Sequence, residues 1–356
     1  MERWILNMKS KILPMQYPAI ATWTWQAGIF SILQANCNNV DWIYSNYIQL
    51  VANSFSNTCN LDFIPRGDDS FFDCPLLYTQ LIKRKLIKSF CNDYLEFIKK
   101  CIDQDNYIYM VVEQGCFLDY DSLPHDILIF GYDDSEEVVH VADFTFKNKY
   151  SFEKVPYELL IKSIDMISEK KDFVFDFKGG VLLLSYDKSA EYTFDTKLVR
   201  DSFIEYLECM ETTDRFRSYR MPWRGETYGL EVYDTVIDFL RDIHRHKKEF
   251  DYRSLHNIYS HKVLMVKRLK YMQENSYIRE AENIIVEYTN LKEQMLVLVN
   301  KFLRCMVRNN ANALPEIIDS LLKIKNHEKE LVTAIIPKLV VKQSDRIFID
   351  KRAQLR

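Results

Sequence analysis

"HDILIFGYDDSEEVVHVADF", residues 125–144, decides the fold. Two runs rich in Val, Ile and Phe, 126–132 and 137–144, flank the polar tetrad Asp133–Glu136. Short β-branched and aromatic runs bounded by turn residues read as strands, and an Asp/Ser connection between them closes an antiparallel hairpin. With that turn, paired residues sum to about 269, which sets His125 opposite position 144 with Asp143 beside it. Neighbouring strands lie about 4.8 Å apart, so ring and carboxylate meet. A carboxylate there fixes the tautomer of the ring and makes it an oriented base. A purely structural hydrogen bond is the alternative. His140, between Val139 and Val141, reads as a strand-face residue without a catalytic role.

Outward from the hairpin, "NYIYMVVE" (106–113), "FVFDF" (173–177) and "GVLLLSY" (180–186) carry the same strand texture. Helical patterns precede them at 25–36, 40–54 and 75–101. Helices before sheet give an α+β layout. Beyond "YDKSAEYTFD" (186–195) the β texture ends and helical periodicity takes over in 197–210, 228–243, 255–272, 277–308 and 312–325. Ile284, Tyr288, Leu291, Met295, Leu298 and Phe302 step by four and three, lining one face of a bundle helix. Asn312 stands where an N-cap would. The expected domains are 1–195 and a helical domain, 196–356.

The 356 residues include 47% hydrophobic and 14% aromatic types, enough for two packed cores. A net charge of −4 provides no field for nucleic acid, and the 28% charged residues argue against a membrane protein. The N-terminal "MERWILNMKSKILPM" lacks the layout of a signal peptide, which predicts a cytoplasmic protein. None of the eight cysteines falls in a C-x-x-C pattern, so neither a zinc site nor a disulfide framework is expected. His256 and His261, five apart on one helix, share no face cleanly, and no metal or cofactor is expected.

The H-D-I-L-I-F-G-Y-D-D…V-V-H-V-A-D-F pattern with "KYSFEKVPYELL" (149–160) resembles the butirosin biosynthesis protein H family. That papain-like group is also similar to the peptidases fused to bacteriocin exporters. "MPWRGETYGLEVYD" (221–234) and "SHKVLMVKRLKYMQEN" (260–275) resemble the C-terminal part of its longer members. The resemblance implies a papain-like domain with an antiparallel sheet and a C-terminal helical bundle. It implies His125 as base and Asp143 as its orienter. It also implies acyl transfer from a carrier-protein thioester to an amine in natural-product biosynthesis. An acyl or peptidyl carrier protein and an amine substrate would be the partners; a homodimer is compatible with this.

In such a fold the nucleophilic Cys opens the first core helix, where the helix N-terminus lowers a thiol's pKa. Laid on "TWQAGIFSIL", that position is Thr24, with Gly28, Ile29, Ser31, Ile32 and Leu33 matching. Three readings stay open. Thr24 is the nucleophile; or Cys116, nine residues before His125, replaces it; or no covalent intermediate forms and His125 acts on the incoming amine. Cys37 lies thirteen residues past Thr24, about 20 Å along the helix, too far to substitute. Gln16 is the expected oxyanion donor. Trp23 and Trp25 flank Thr24 and either line an acyl pocket or pack in the core; Trp223, in a polar loop, either caps the cleft and binds substrate or makes an ordinary interdomain contact. A catalytically inactive scaffold that binds a carrier protein or biosynthetic partner is the rival reading.

Overall fold

The computed structural model describes residues 10–36, 40–54, 57–91, 93–118, 122–146, 149–174, 178–212, 226–341 and 348–350. They begin with β1 (Ser10–Ile12), α1 (Thr24–Asn36), α2 (Asp41–Ser45), β2 (Leu50–Asn53), β3 (Asn60–Phe63), α3 (Ser70–Asp73) and β4 (Leu77–Ile82). Next come α4 (Arg84–Phe90), α5 (Tyr94–Asp103), β5 (Tyr107–Glu113), α6 (Gly115–Leu118), β6 (Pro124–Asp133), β7 (Val138–Asp143) and β8 (Ser151–Pro156). Then follow α7 (Tyr157–Asp165), β9 (Val181–Tyr186), β10 (Ala190–Tyr192), α8 (Thr196–Glu208), β11 (Thr227–Tyr228) and α9 (Val232–His244). The last are α10 (Arg253–Glu274), α11 (Glu282–Val307), α12 (Leu314–Ile335) and β12 (Phe348–Asp350). Among the described residues no helix is long and apolar enough to cross a membrane.

The chain is a mixed α/β protein with antiparallel sheets and a helical C-terminal region. It divides into two compact units: one from 1–40, 67–192 and 348–356, the other from 41–66 and 193–347. The second unit resumes at Thr193. The segment 41–66, however, folds with the helical unit, and β12 pairs with β10 of the sheet unit.

In the first unit the strand order is β4-β9-β5-β6-β7-β8, with β1 added beside β6. All neighbours are antiparallel, and β6 and β7 form the expected hairpin, its turn at 134–137, one residue beyond the expected 133–136. All seven residues of β5 are buried. A strand reads as an unbroken apolar run when both faces of its sheet are covered. α1 packs on β6 and β9, while α5 and α7 pack together and on β5. A Cβ on Gly131 would sit 2.8 Å from the Lys11 carbonyl oxygen, so β1 approaches β6 where β6 lacks a side chain. The expected helix over 75–101 is corrected: its first part is strand β4, and α4 and α5 follow separately. The strand expected over 173–177 falls partly outside the described residues, and Phe173–Val174 lie in no strand.

In the second unit α8–α12 pack with the small antiparallel sheet β11-β2-β3. The expected helix over 40–54 is therefore only the short α2 before strand β2. Side chains of α10 hold the 41–66 segment. Arg268 donates to the carbonyls of Tyr44, Asn46 and Tyr47, His261 Nε2 to that of Ile48, and Asn257 to that of Leu61. Buried carbonyls need donors, and a fully buried guanidinium satisfies three of them at once. The six α11 residues singled out by their spacing are all buried. The N-cap position of α12 is Ala313, not Asn312, and its side chain caps nothing.

Candidate functional site

In β6, Val112↔His125 and Val111↔Asp126 are the β5 pairs, and Leu128↔Ala142 and Ile129↔Val141 are the β7 pairs. Continued by one residue, the β7 register sets Ile127 opposite Asp143, one place from the expected pairing. Alternation thus assigns His125, Ile127 and Asp143 to one face of the sheet, and Asp126 and Leu128 to the other. α1 covers the second face, because a Cβ on Gly28 would lie 3.4 Å from Leu128 Cδ2. The acid on the α1 side is Asp126.

The His125 side chain is 35% exposed. Its Nδ1 lies 2.9 Å from the Asp126 carbonyl oxygen and 3.1 Å from Asp126 Oδ1. Both oxygens only accept, so Nδ1 carries a proton and, in the neutral ring, Nε2 presents the lone pair. Asp126 is 3% exposed, and its other oxygen accepts the Tyr109 hydroxyl. The Tyr109 ring packs against Phe71, centroids 5.1 Å apart. Tyr109, Asp126 and His125 form one hydrogen-bonded row running from the core to a solvent-accessible ring.

Asp143 takes a different set of partners. It accepts from Gln114 Nε2 at 2.7 Å, Thr145 Oγ1 at 2.8 Å and the Thr145 amide at 3.0 Å. It forms no ion pair with His125 among the described residues; the ring's acidic partner is Asp126. Burial pushes the Asp143 carboxyl above its usual range, with the Thr145 bonds and the His125 charge acting against that and Asp126 with it. The orienting acid therefore differs from the sequence expectation. The reason is local. The β7 ladder stops at Ala142, and the His125 ring turns along its own strand to the neighbouring residue. Period-two reasoning discounts sequence neighbours, and "HD" was the available signal. Gln114 and Thr145 were also missed, since their polar atoms meet only after β5 and β7 pair with β6.

Upstream, Glu113 fixes the loop that leads into β6. Burial would raise its carboxyl, but bonds from the Leu123 amide, Ser122 and the Gly115 amide, together with Lys171, hold it below the usual range. An ionised Glu113 ties both ends of the 115–123 connection.

Thr24 opens α1 and is 2% exposed. At the other end of the helix Asn36 bonds the Tyr107 hydroxyl, at the start of β5, while Gly28 meets Leu128. α1 therefore leads back toward the His125 end of β6. No hydrogen bond joins Thr24 to His125 among the described residues. Trp23 and Trp25, each half-buried, stack on one another with centroids 5.0 Å apart. The exposed Gln16 lies beside α1 at Ser31, whose carbonyl accepts its amide at 3.2 Å. Ser31 is seven residues from Thr24, about 10 Å along the axis, which corrects the expected oxyanion position. Cys116, in α6, turns its sulfur to Met166 Sδ at 3.3 Å and makes no hydrogen bond or ion pair with His125. Trp223 lies outside the described residues. Glu226 is held by both Arg66 and Asn53 in the second unit. His140 packs on Phe130, and burial keeps its ring below the ordinary histidine range. Among the described residues no cluster of three metal-binding side chains occurs.

No family model matches this chain, nor does any curated protein.

Proposed function

We propose that the sheet unit is a papain-like acyl-transfer module that moves an acyl group from a carrier-protein thioester to an amine. The observation that carries this is the His125 ring, held by two oxygens of Asp126 so that Nε2 is left as the basic atom on an accessible ring. The carrier and the natural-product setting follow from the resemblance of the 125–144 block. Of the three routes, transfer without a covalent intermediate fits best, because Thr24 is buried and not hydrogen-bonded to His125. Nε2 removes a proton from the amine as its nitrogen attacks the thioester carbonyl. The C–S bond then breaks, and the imidazolium returns the proton to the departing thiolate. A thioester is already activated, so positioning and one general base suffice.

The test is amide formation from a soluble acyl thioester and an amine, followed by mass spectrometry. His125→Ala lowers turnover by about 10²–10⁴-fold with the melting temperature little changed. Full activity in that variant removes the base. The second reading, a scaffold that binds a carrier protein or biosynthetic partner without turnover, is favoured by the stacked Trp23 and Trp25 at the helix start. It predicts no amide product and no acyl adduct on Thr24 or Cys116.

A further inference from the structure

The Asp126 carboxylate serves two donors. Oδ1 lies 3.1 Å from His125 Nδ1, and Oδ2 accepts the Tyr109 hydroxyl. Asp126 is 3% exposed and Tyr109 1%, so a phenol stands where water would solvate a surface carboxylate. Register and packing set it there. Val111 pairs with Asp126 and Tyr109 with Leu128, which makes Tyr109 the diagonal neighbour of Asp126, within reach of a long side chain. The fully buried Phe71 of α3 packs on the Tyr109 ring and also reaches α1, where a Cβ on Gly28 would lie 3.5 Å from it.

Few other titratable groups act on this pair. α1 carries none from Thr24 to Asn36, and Asp73 of α3 is exposed. Asp143 of β7 is coupled to both His125 and Asp126. Tyr150, just before β8, feels both acids, but burial pushes its phenol up and keeps it neutral. On β5, Glu113 is spent on the 115–123 connection and Lys171. The charged groups of β1 and α5 meet the far end of β6, with Lys11 on Asp105 and Asp103 on Tyr132.

We propose that Tyr109 is a positioning residue for His125: through Asp126 it holds the carboxylate in place and weakens its pull on the proton of the ring. Two donors compete for one acceptor. The phenol bonds a carboxylate facing a neutral ring more strongly than one already neutralised by an imidazolium, so it favours the neutral ring. A desolvated carboxylate acting alone would keep the ring protonated, and a general base must be free of its proton at the working pH. The inference rests on the reading of His125 as base.

The test is an NMR titration of the His125 ring, its signal assigned by its loss in His125→Ala. Tyr109→Phe raises the midpoint by about half a unit or more, and the same change made beside Asp126→Asn moves it little. 3-Fluorotyrosine at position 109 keeps the ring and is a stronger donor, so it lowers the midpoint, and this arm decides should Tyr109→Phe not fold. A midpoint that Tyr109→Phe leaves unchanged or lowers overturns the proposal, as does an equal shift beside Asp126→Asn or a fluorotyrosine shift that is absent or upward. In the amide-forming assay Tyr109→Phe loses turnover most below pH 7 and regains it as pH rises. A wild-type protein that forms no amide defeats the acyl-transfer reading and leaves the titration to judge Tyr109.

Discussion

Asp126 and Glu328 are both nearly or fully buried carboxylates beside a histidine, and they are put to opposite uses. In the second unit Glu328 accepts from Lys262, Tyr206, Tyr233 and Tyr288, and Lys262 donates in turn to His261 Nδ1. His261 Nε2 is spent on the Ile48 carbonyl. Every member is 0% exposed, and each strong donor or acceptor faces another. Asp126 also takes a tyrosine hydroxyl, but the histidine it holds is open to solvent and keeps one nitrogen unspent. A saturated, sealed ionic cluster specifies architecture, since an uncompensated buried charge is costly. The same groups with one position open can carry a proton.

The largest effect should come from breaking the sealed cluster. Glu328→Leu strands Lys262 and three tyrosines, costing about 3–5 kcal/mol in urea unfolding. A loss below about 1 kcal/mol would show that the cluster is not saturated as described. Next is the open one. Asp126→Asn keeps the side-chain size but removes the charge, and turnover should drop by about 10²-fold or more. Thr24→Ala should leave turnover unchanged; a matching drop would restore the hydroxyl as nucleophile.

Acid sharpens the contrast further. Burial, with Lys262 and Arg268 nearby, holds His261 well below 6.5, so the unfolded chain takes up its proton first. Stability contributed by neutral His261 is complete above about pH 6.5 and declines as pH falls toward the folded value. His261→Gln should flatten that slope in unfolding experiments between pH 7 and 5; an unaltered slope refutes the assignment. The smallest effect has the opposite sign. Burial raises the Asp143 carboxyl in the folded chain, so its ionisation costs stability as pH rises from about 3.8 through the folded value. Asp143→Asn should therefore gain on the wild type as pH rises above about 4, and a constant difference between the two would count against it.

Local pattern carried the hairpin. Residues 125–144 hold two Val/Ile/Phe-rich runs and a turn, all within twenty positions, and the register came out two residues from expectation beside the turn and one beyond the irregularity at Ile129/Gly131. Periodicity likewise revealed α10, α11 and α12, because a helix that buries one face must repeat about every 3.6 residues. Strands β2 and β4 were hidden inside apolar runs that suit either element, and their partners β3, β11 and β9 lie up to about 175 residues away in sequence. Of the candidate site, His125 was legible but its true acid was not. Side-chain rotation at a strand end is decided by what the next strand leaves uncovered.

The sequence by itself determined which segments form the hairpin and the long helices, and that His125 stands at a strand start. Those follow from interactions between residues close along the chain. Only the tertiary structure decided that 41–66 joins the helical unit, that Asp126 rather than Asp143 holds the ring, and that Lys262 meets Glu328. Each of those depends on which polar groups are left buried and unpaired once distant segments pack, and desolvation gives every such group a strong preference for the nearest partner.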